Sequence, residues 1–144
     1  MVTLKPLSEI TRPVDPRVPS ELLSLGSARH PWTVFVALSL EGNTVGACAF
    51  KSAPNKDKEV EIAYVTFADL KGRGLGTAMA QCLVDIATRS GEVNRVVART
   101  LKVENASVRI CRRLNFDFLG EVIDPDDGSV WAWKKQIGQP KRRT

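Results

Sequence analysis

Three glycines stand within five positions in the stretch DLKGRGLGTAMAQCLVDIA (Asp69–Ala87), immediately before a helical pattern. A glycine-rich turn at the start of a helix presents successive backbone N–H groups, and the helix dipole adds positive potential at the same point. Lys71 and Arg73 place two cationic side chains in this turn. The stretch therefore predicts a site for a phosphate or diphosphate group. The alternative interpretation is a tight strand-to-helix connection whose two basic side chains are simply solvated.

Two common phosphate-binding loops do not match this turn. A dinucleotide fingerprint requires G-x-G-x-x-G, but the third glycine position is Thr77 counted from Gly72 and Met79 counted from Gly74. That fingerprint also follows a first parallel strand, whereas two strand patterns joined by a hairpin signal come first in this chain. A P-loop ends in Gly-Lys-Ser/Thr, a sequence that the chain lacks.

Alternating apolar residues and turn signals predict an α/β domain with the element order β-β-β-α-β-α-β-β and one mixed, mostly antiparallel sheet. The main helix is predicted from Leu75 to a stop at Gly91, and a shorter helix within Glu104–Phe116, where Asn115 suits a left-handed end. Residues 1–31 hold five of the eight prolines and are predicted to be irregular, apart from one short helix capped by Ser20. The strands are predicted at Thr33–Leu40, Thr44–Ser52, Glu59–Phe67, Val93–Leu101, Phe116–Ile123 and Ser129–Lys135.

Composition limits the class of protein. With 144 residues, 43% hydrophobic and 26% charged, the chain is predicted to form one globular domain. No apolar run approaches the ~18 residues of a membrane span, and the N-terminal stretch lacks a signal-peptide core. Cys48, Cys82 and Cys111 lack CxxC spacing, so we expect reduced thiols and a cytoplasmic location. The single histidine, His30, argues against a metal site.

The net charge of +5 resides in the C-terminal stretch. The last eleven residues, KKQIGQPKRRT, contain five basic and no acidic residues, and subtracting them leaves residues 1–133 without net charge. A solvated, flexible tail is the preferred interpretation. Nucleic acid is not an expected partner, because no basic stripe with interleaved aromatic residues occurs elsewhere. The competing hypothesis is nucleic-acid binding through Lys134–Thr144.

The glycine turn resembles a loop of a known family. KGRGLG (Lys71–Gly76), which follows the strand pattern EIAYVTF, resembles the pyrophosphate-binding loop of the GNAT superfamily of N-acyltransferases, Arg/Gln-x-x-Gly-x-Gly/Ala. Lys71 takes the first position of that signature and keeps its positive charge. Gly74 and Gly76 take the two glycine positions.

Two downstream segments strengthen the resemblance. ENASVRICRRLNFDFLGEV resembles the helix and strand that follow in the family, although Asn115 replaces the usual glycine. The closing DPDDGSVWAWK resembles a small bacterial branch near the ribosomal-protein N-acetyltransferases, and the whole resemblance runs from about Trp32 to Lys135. The residues that fall on the helix pattern are Asn105, Ser107, Leu114 and Phe116.

The resemblance implies a single GNAT-like domain over residues 1–135, with its core at 32–135 and a basic tail at 136–144. Helices would flank its sheet, and its central strands would splay apart. The implied function is N-acetyl transfer from acetyl-CoA to a primary amine, by direct transfer in a ternary complex and without a metal. A small amine, a peptide N-terminus and a lysine side chain stay open as acceptors, and a homodimer is compatible. The alternative is a CoA-binding module of the same fold without turnover.

Glu61 is the implied general base, because family members with a glutamate catalyst carry it on this strand about ten residues before the loop. By alternation Glu61 shares a strand face with Val65 and Phe67. A carboxylate in such an apolar run would acquire the raised pKa that a base needs. Glu59 is the weaker candidate, and a half-exposed structural carboxylate is the alternative interpretation.

The remaining site residues are also implied by the resemblance. Many relatives carry a tyrosine on this helix as the general acid, and Cys111 takes its position here. The resemblance therefore implies that Ser107 interacts with the departing CoA sulfur. A first-turn helix serine without a catalytic role is the alternative. The Val65 N–H would polarise the thioester carbonyl. Asn105 would bind CoA or only cap its helix. The full set implied to bind acetyl-CoA is Tyr64, Val65, Thr66, Phe67, Lys71, Gly72, Arg73, Gly74, Leu75, Gly76, Thr77 and Asn105.

Overall fold

Seven strands form one sheet in this computed structural model, which describes residues 2–138. The sheet order is β1-β2-β3-β4-β5-β7-β6, and every neighbouring pair is antiparallel except the parallel pair β4–β5. The strands are β1 (Thr3–Pro6), β2 (Val34–Leu38), β3 (Thr44–Phe50), β4 (Glu59–Thr66), β5 (Arg95–Thr100), β6 (Asp117–Asp124) and β7 (Gly128–Gln136), and the α-helices are α1 (Ser20–Leu23), α2 (Leu75–Ser90) and α3 (Ala106–Arg113).

The two central strands separate partway along their length. β4 pairs with β5 only over Glu59–Glu61, opposite Arg95–Val97. Beyond that point β4 continues against β3 as far as Thr66, while β5 continues against β7. The predicted mixed sheet with splayed central strands is confirmed. The gap that opens after Glu61 gives a ligand access to the middle of the sheet.

Each face of the sheet carries its own apolar core. The face covered by α2 and α3, here called the helix face, holds the main core, which includes the fully buried Trp32, Phe50, Met79 and Leu83. The opposite face, here called the α1 face, packs Leu22 of that helix with side chains from the central strands. Alternation therefore directs even-numbered side chains of β4 to the helix face and odd-numbered ones to the α1 face.

The N-terminal region is more ordered than its prolines suggest. β1 pairs antiparallel with β2 at the sheet edge, an element that the sequence did not predict. Four residues ending at Pro6 give too short an alternation to detect, and proline is tolerated on an edge strand. Ser20 is the first residue of α1 rather than its cap, which is Pro19. β1 corrects the prediction of an irregular segment, and Pro19 corrects the predicted cap of the short helix.

The helix ends follow their predicted stop signals. Gly91 and Asn115 adopt left-handed φ values of 72° and 64° after α2 and α3. β7 extends to Gln136, one residue past the predicted domain limit, so Lys134 and Lys135 belong to a strand. The rest of the predicted basic tail, including Lys141, Arg142 and Arg143, lies outside the described residues. Within residues 2–138, no helix combines the length and apolar character that a membrane crossing requires.

Candidate active site

Among the described residues, no side chain caps the first N–H groups of α2 after the glycine turn. Gly74 is the N-cap residue, with φ 77°, and no side chain accepts a hydrogen bond there. The first turn of α2 contains no acidic residue. The N–H groups of residues 75–77 thus remain available, and they lie at the positive end of a 16-residue helix. Helix N-termini with free N–H groups are a common anion-binding feature of proteins.

The glycines of the turn are needed for two different physical reasons. Gly72 and Gly74 have φ values of 85° and 77°, and an added Cβ would point into open space. Gly76 lies within the helix, where a Cβ would approach Ile110 Cδ1 to 2.7 Å and Thr66 Oγ1 to 3.3 Å. Gly76 therefore permits close packing of α2 against α3 and β4, and does not serve only to admit a ligand.

A cleft of about 420 Å³ connects this turn with β4 and α3. Most of the residues predicted to bind acetyl-CoA meet in it, together with Ser107. Four predicted site residues, Glu61, Phe67, Arg73 and Asn105, do not line it. The lining residues are Tyr64, Val65, Thr66, Lys71, Gly72, Gly74, Leu75, Gly76, Thr77, Ala106, Ser107, Arg109, Ile110 and Arg113.

Three cations face the cleft without an acidic partner. Lys71, Arg109 and Arg113 line it, and none of them forms an ion pair with another described residue. Arg112, between the two arginines on α3, instead pairs with Glu104 at 2.6 Å. Sequence reasoning missed Arg109 and Arg113. Their i, i+4 spacing, which places both on one helix face, was the available signal.

The direction of the backbone amides in the gap follows from two contacts. The Glu61 carbonyl accepts the Lys51 N–H at 2.8 Å, so it points toward β3. The Val65 carbonyl points the same way, since it would lie 2.5 Å from a Cβ on Gly46 in β3. The β3–β4 register runs without a shift between these positions, and backbone groups alternate in direction along a strand. The Val65 amide therefore points toward β3.

This direction does not fit the role that the resemblance implied for the Val65 N–H. The amides of Tyr64 and Thr66, one residue to either side of Val65, point toward the gap where β5 no longer pairs with β4. The resemblance had assigned the donor to Val65, whose N–H faces the wrong strand. Sequence alternation gives the side-chain faces of a strand but not the edge to which each amide points, which explains the misassignment.

Glu61 lies on the α1 face, at the last position where β4 and β5 pair. Its carboxylate is flanked by cations: Lys51 Nζ lies 2.8 Å from Oε2, and Arg99 Nε lies 3.9 Å from Oε1. Arg99 also donates to Asp124 at 2.9 Å. The surroundings are therefore not apolar as predicted, because neighbouring strands supply charges that the β4 sequence does not reveal.

Three of the other candidate residues outside the cleft, Glu59, Phe67 and Asn105, have structural contacts. Glu59 forms an ion pair with Arg95, its partner across the β4–β5 ladder. Asn105 caps α3, since its Oδ1 accepts the Val108 N–H at 2.9 Å. Phe67 is buried on the α1 face. Arg73 is exposed in the turn.

Tyr64 and Ser107 line the cleft, and the buried Cys111 lies one turn after Ser107 on α3. Burial raises the pKa of Tyr64. Burial likewise raises the pKa of Cys111 to about 11. Cys111 is therefore a thiol at neutral pH, which is the wrong form for a nucleophile.

Comparisons with known proteins agree with this architecture. The family model described as an acetyltransferase (GNAT) domain matches residues 9–117, and the chain belongs to this family. The predicted family, fold and acetyl-CoA-dependent acetyltransferase class are thereby confirmed. The comparison with curated protein sequences found no match.

Solved structures of similar fold include several acetyltransferases. The ribosomal L7/L12 α-N-protein acetyltransferase RimL is 20% identical over 74% of this chain and 72% of its own, with a TM-score of 0.63. The aminoglycoside acetyltransferase AAC(6')-Ib in complex with coenzyme A is 22% identical over 72% and 65%, with a TM-score of 0.65. A putative acetyltransferase, yncA from Salmonella typhimurium, with acetyl-CoA, is 20% identical over 79% and 69%, also at 0.65. The chain thus spans 65% to 72% of these three structures.

Proposed function

We propose that this GNAT acetyltransferase transfers the acetyl group of acetyl-CoA directly to a primary amine within a ternary complex. One observation carries the proposal: the helix N-terminus, the cations of the cleft and the strand gap are parts of one continuous cleft. The diphosphate would bind the N–H groups of residues 75–77. The pantetheine arm would pair with the free edge of β4 at Tyr64 and Thr66. Its thioester would then reach the gap.

Arg109, Arg113 and Lys71 would complete cofactor binding. CoA carries a diphosphate and a further phosphate on its ribose, whereas the helix N-terminus offers only partial charge. Guanidinium groups bind phosphate by charge-assisted hydrogen bonds. Their lack of ion-pair partners among the described residues means that no existing pair must break when phosphate binds.

The amine would approach the thioester from the α1 face, where Glu61 lies. A neutral amine attacks the carbonyl carbon, so that a C–N bond forms and the C–S bond breaks. We assign Glu61 as the base that takes the amine proton through one water. Polarisation of the carbonyl oxygen falls to the Tyr64 amide. Ser107 would donate a hydrogen bond to the departing thiolate, which then takes a proton from solvent.

The identity of the acceptor determines how much base assistance is required. A lysine amine has a pKa of ~10.4 and a peptide α-amine ~7.7–8.0, so lysine needs a base more at neutral pH. Of the three similar structures named above, RimL is a ribosomal L7/L12 α-N-protein acetyltransferase and AAC(6')-Ib is an aminoglycoside acetyltransferase. We propose a cytoplasmic enzyme with a primary-amine acceptor; three free cysteines support the location.

An acceptor screen tests the proposal. Release of free thiol from acetyl-CoA is followed with peptides bearing a free α-amine, N-blocked lysine peptides, polyamines and aminoglycosides. We expect release with at least one amine and none with its acetylated form. Binding of acetyl-CoA without thiol release from any amine would favour the alternative, a CoA-binding module without turnover.

A further inference from the structure

Arg17 joins the N-terminal region to the stretch that leads into the glycine turn. Its Nη1 donates to the Asp69 carboxylate, at 3.2 Å to Oδ1 and 3.4 Å to Oδ2. Its Nε and Nη2 donate to the two carboxylate oxygens of Asp15, at 3.1 and 2.9 Å. Its guanidinium carbon lies 4.0 Å from the centroid of the Phe67 ring. Every guanidinium nitrogen therefore has a partner, and the side chain is held in one place although it is 46% exposed.

Phe67 and Asp69 lie in the stretch between β4 and α2, here called the β4–α2 connection (residues 67–73). Among the described residues, the only hydrogen bonds from this connection to another part of the chain come from Arg17. The side chains of Phe67 and Leu70 also pack in the core of the α1 face, but apolar packing is not directional. The hydrogen bonds to Asp69 therefore fix the orientation of the connection.

CoA would use the elements at both ends of this connection. The proposed pantetheine site is the free edge of β4 at Tyr64 and Thr66, and the proposed diphosphate site is the first turn of α2. A ligand that spans two sites binds best when their relative placement is already set in the free protein, because ordering them on binding costs free energy. The β4–α2 connection sets that placement.

We propose that Arg17 is a positioning residue for the cofactor site. It holds Asp69 and stacks on Phe67, and so fixes the β4–α2 connection from the α1 face without itself lining the cleft. The edge of β4 and the start of α2 are thereby kept in place for one CoA molecule. This inference rests on the proposed binding of CoA along β4 and α2. It gives a segment that the sequence predicted to be irregular a function in cofactor binding.

Two substitutions of opposite charge test the proposal. Arg17→Met removes a positive charge, Asp69→Ala removes a negative charge, and each removes the hydrogen bonds between the two side chains. The Kd of CoA is measured by titration calorimetry, which does not depend on turnover. We expect both variants to weaken CoA binding by about threefold to tenfold, the contribution of one hydrogen bond. The kcat at saturating acetyl-CoA should not change.

The direction of the two effects decides between positioning and simple charge. If Arg17 acted only as a charge, Asp69→Ala would tighten CoA binding, because it removes a negative charge near the anion site. That result would overturn the proposal. Weaker binding in both variants, with the double variant no worse than the weaker single one, would support it. An unchanged Kd in both would overturn the positioning role and leave CoA binding intact. Absence of CoA binding in wild type would overturn the proposed function as well.

Arg29→Met is the matched control. Arg29 also belongs to the N-terminal region and is largely exposed, but it pairs with Glu92 at 3.1 Å, just beyond the other end of α2. Its substitution removes the same charge and an ion pair of the same kind. The Kd of CoA should stay within about twofold of wild type, since exposed ion pairs contribute little to stability. A rise equal to that of Arg17→Met would show a general effect of lost charge or stability and overturn the positioning role.

Discussion

The two faces of the sheet differ in whether their charged side chains form ion pairs. On the helix face, Lys71, Arg109 and Arg113 line the cleft without an acidic partner among residues 2–138. On the α1 face, Glu61 and Arg99 belong to a chain of ion pairs that extends to Lys51 and Asp124. The cations of the helix-face cleft are thus unpaired among the described residues, whereas these charges of the α1 face are paired with one another.

This difference between the two faces indicates which groups can gain an interaction when a ligand binds. Unpaired cations and uncapped N–H groups gain a partner when an anion binds, so they contribute binding energy without disrupting the free protein. The paired carboxylate of Glu61 must instead exchange one neighbour for another, or work through water, before it accepts a proton. The following substitutions test whether the helix face binds the cofactor while the α1 face supplies the base.

The largest effect is expected at Glu61. Glu61→Gln keeps the size of the side chain but removes the proton acceptor, and should lower kcat by ~10²–10⁴-fold at pH 7 with a lysine substrate. The KM for acetyl-CoA should barely change, because the cofactor is held on the other face. Higher pH should restore part of the kcat of this variant. The loss of kcat should be smaller with an α-amine acceptor than with lysine, because the α-amine has the lower pKa.

Glu59→Gln is the matched control for this change. Glu59 shares the strand face and also has a cationic partner, Arg95, but lies two residues farther from the gap. It should retain turnover. Near wild-type activity of Glu61→Gln would show that Glu61 is a structural carboxylate. Loss of kcat in Glu59→Gln would instead assign the role of general base to Glu59.

The second effect concerns the two ends of α2. Gly74 and Gly91 both have left-handed φ values, and a Cβ at either would meet no atom within 4 Å. Substitution by valine should cost each a similar ~1–2 kcal/mol of backbone strain. Only Gly74→Val should abolish the protection that acetyl-CoA gives against thermal unfolding. Equal protection of both variants would contradict the anion-binding role of the turn.

Gly76→Val, the obvious companion change, does not test the same point. Its side chain would collide with Ile110 across the α2–α3 contact. We expect loss of stability whether or not a ligand binds at the turn, because overpacking in a tight contact is itself destabilising.

The sequence was most informative where function depends on consecutive residues. The turn Lys71–Thr77 and both helix stops follow from local conformational rules, so the fold and the left-handed glycines of the turn could be predicted. Arg99 and Lys51 reach Glu61 from other strands, and the direction of the Val65 amide depends on ladder pairing. Such features depend on tertiary register, which no local pattern in one sequence contains.

A third, smaller effect is expected on α3. Arg109→Gln and Arg113→Gln should each raise the KM for acetyl-CoA about tenfold, the value of one charge-assisted hydrogen bond, with kcat unchanged. Added salt should reduce the difference from wild type. Arg112→Gln, on the same helix but paired with Glu104, should leave KM unchanged. A rise for Arg112 equal to that of its neighbours would show a general charge effect instead.

The smallest effect is expected at Asp124, at the far end of the paired charges. Hydrogen bonds from the Asp127 N–H, Arg99 and the Asp126 N–H hold the pKa of Asp124 below its usual value. A carboxylate with a lowered pKa stabilises the fold above its unfolded value of ~3.9, and that contribution is lost as pH falls through the folded value. Asp124→Asn keeps an oxygen for the backbone N–H groups but loses the pairing with Arg99.

In Asp124→Asn, the midpoint of thermal unfolding should therefore fall by no more than about 4 °C at pH 7. The difference from wild type should vanish in strong acid, where wild-type Asp124 is also neutral. Asp117→Asn, on the exposed start of the same strand, should behave as wild type at every pH. Turnover should change little, because Asp124 contacts Arg99 and not Glu61. A large loss of kcat in Asp124→Asn would mean that the ion pairs of the α1 face determine how well Glu61 acts as a base. The distinction between a face that binds ligand and a face whose charges are only paired would then be wrong.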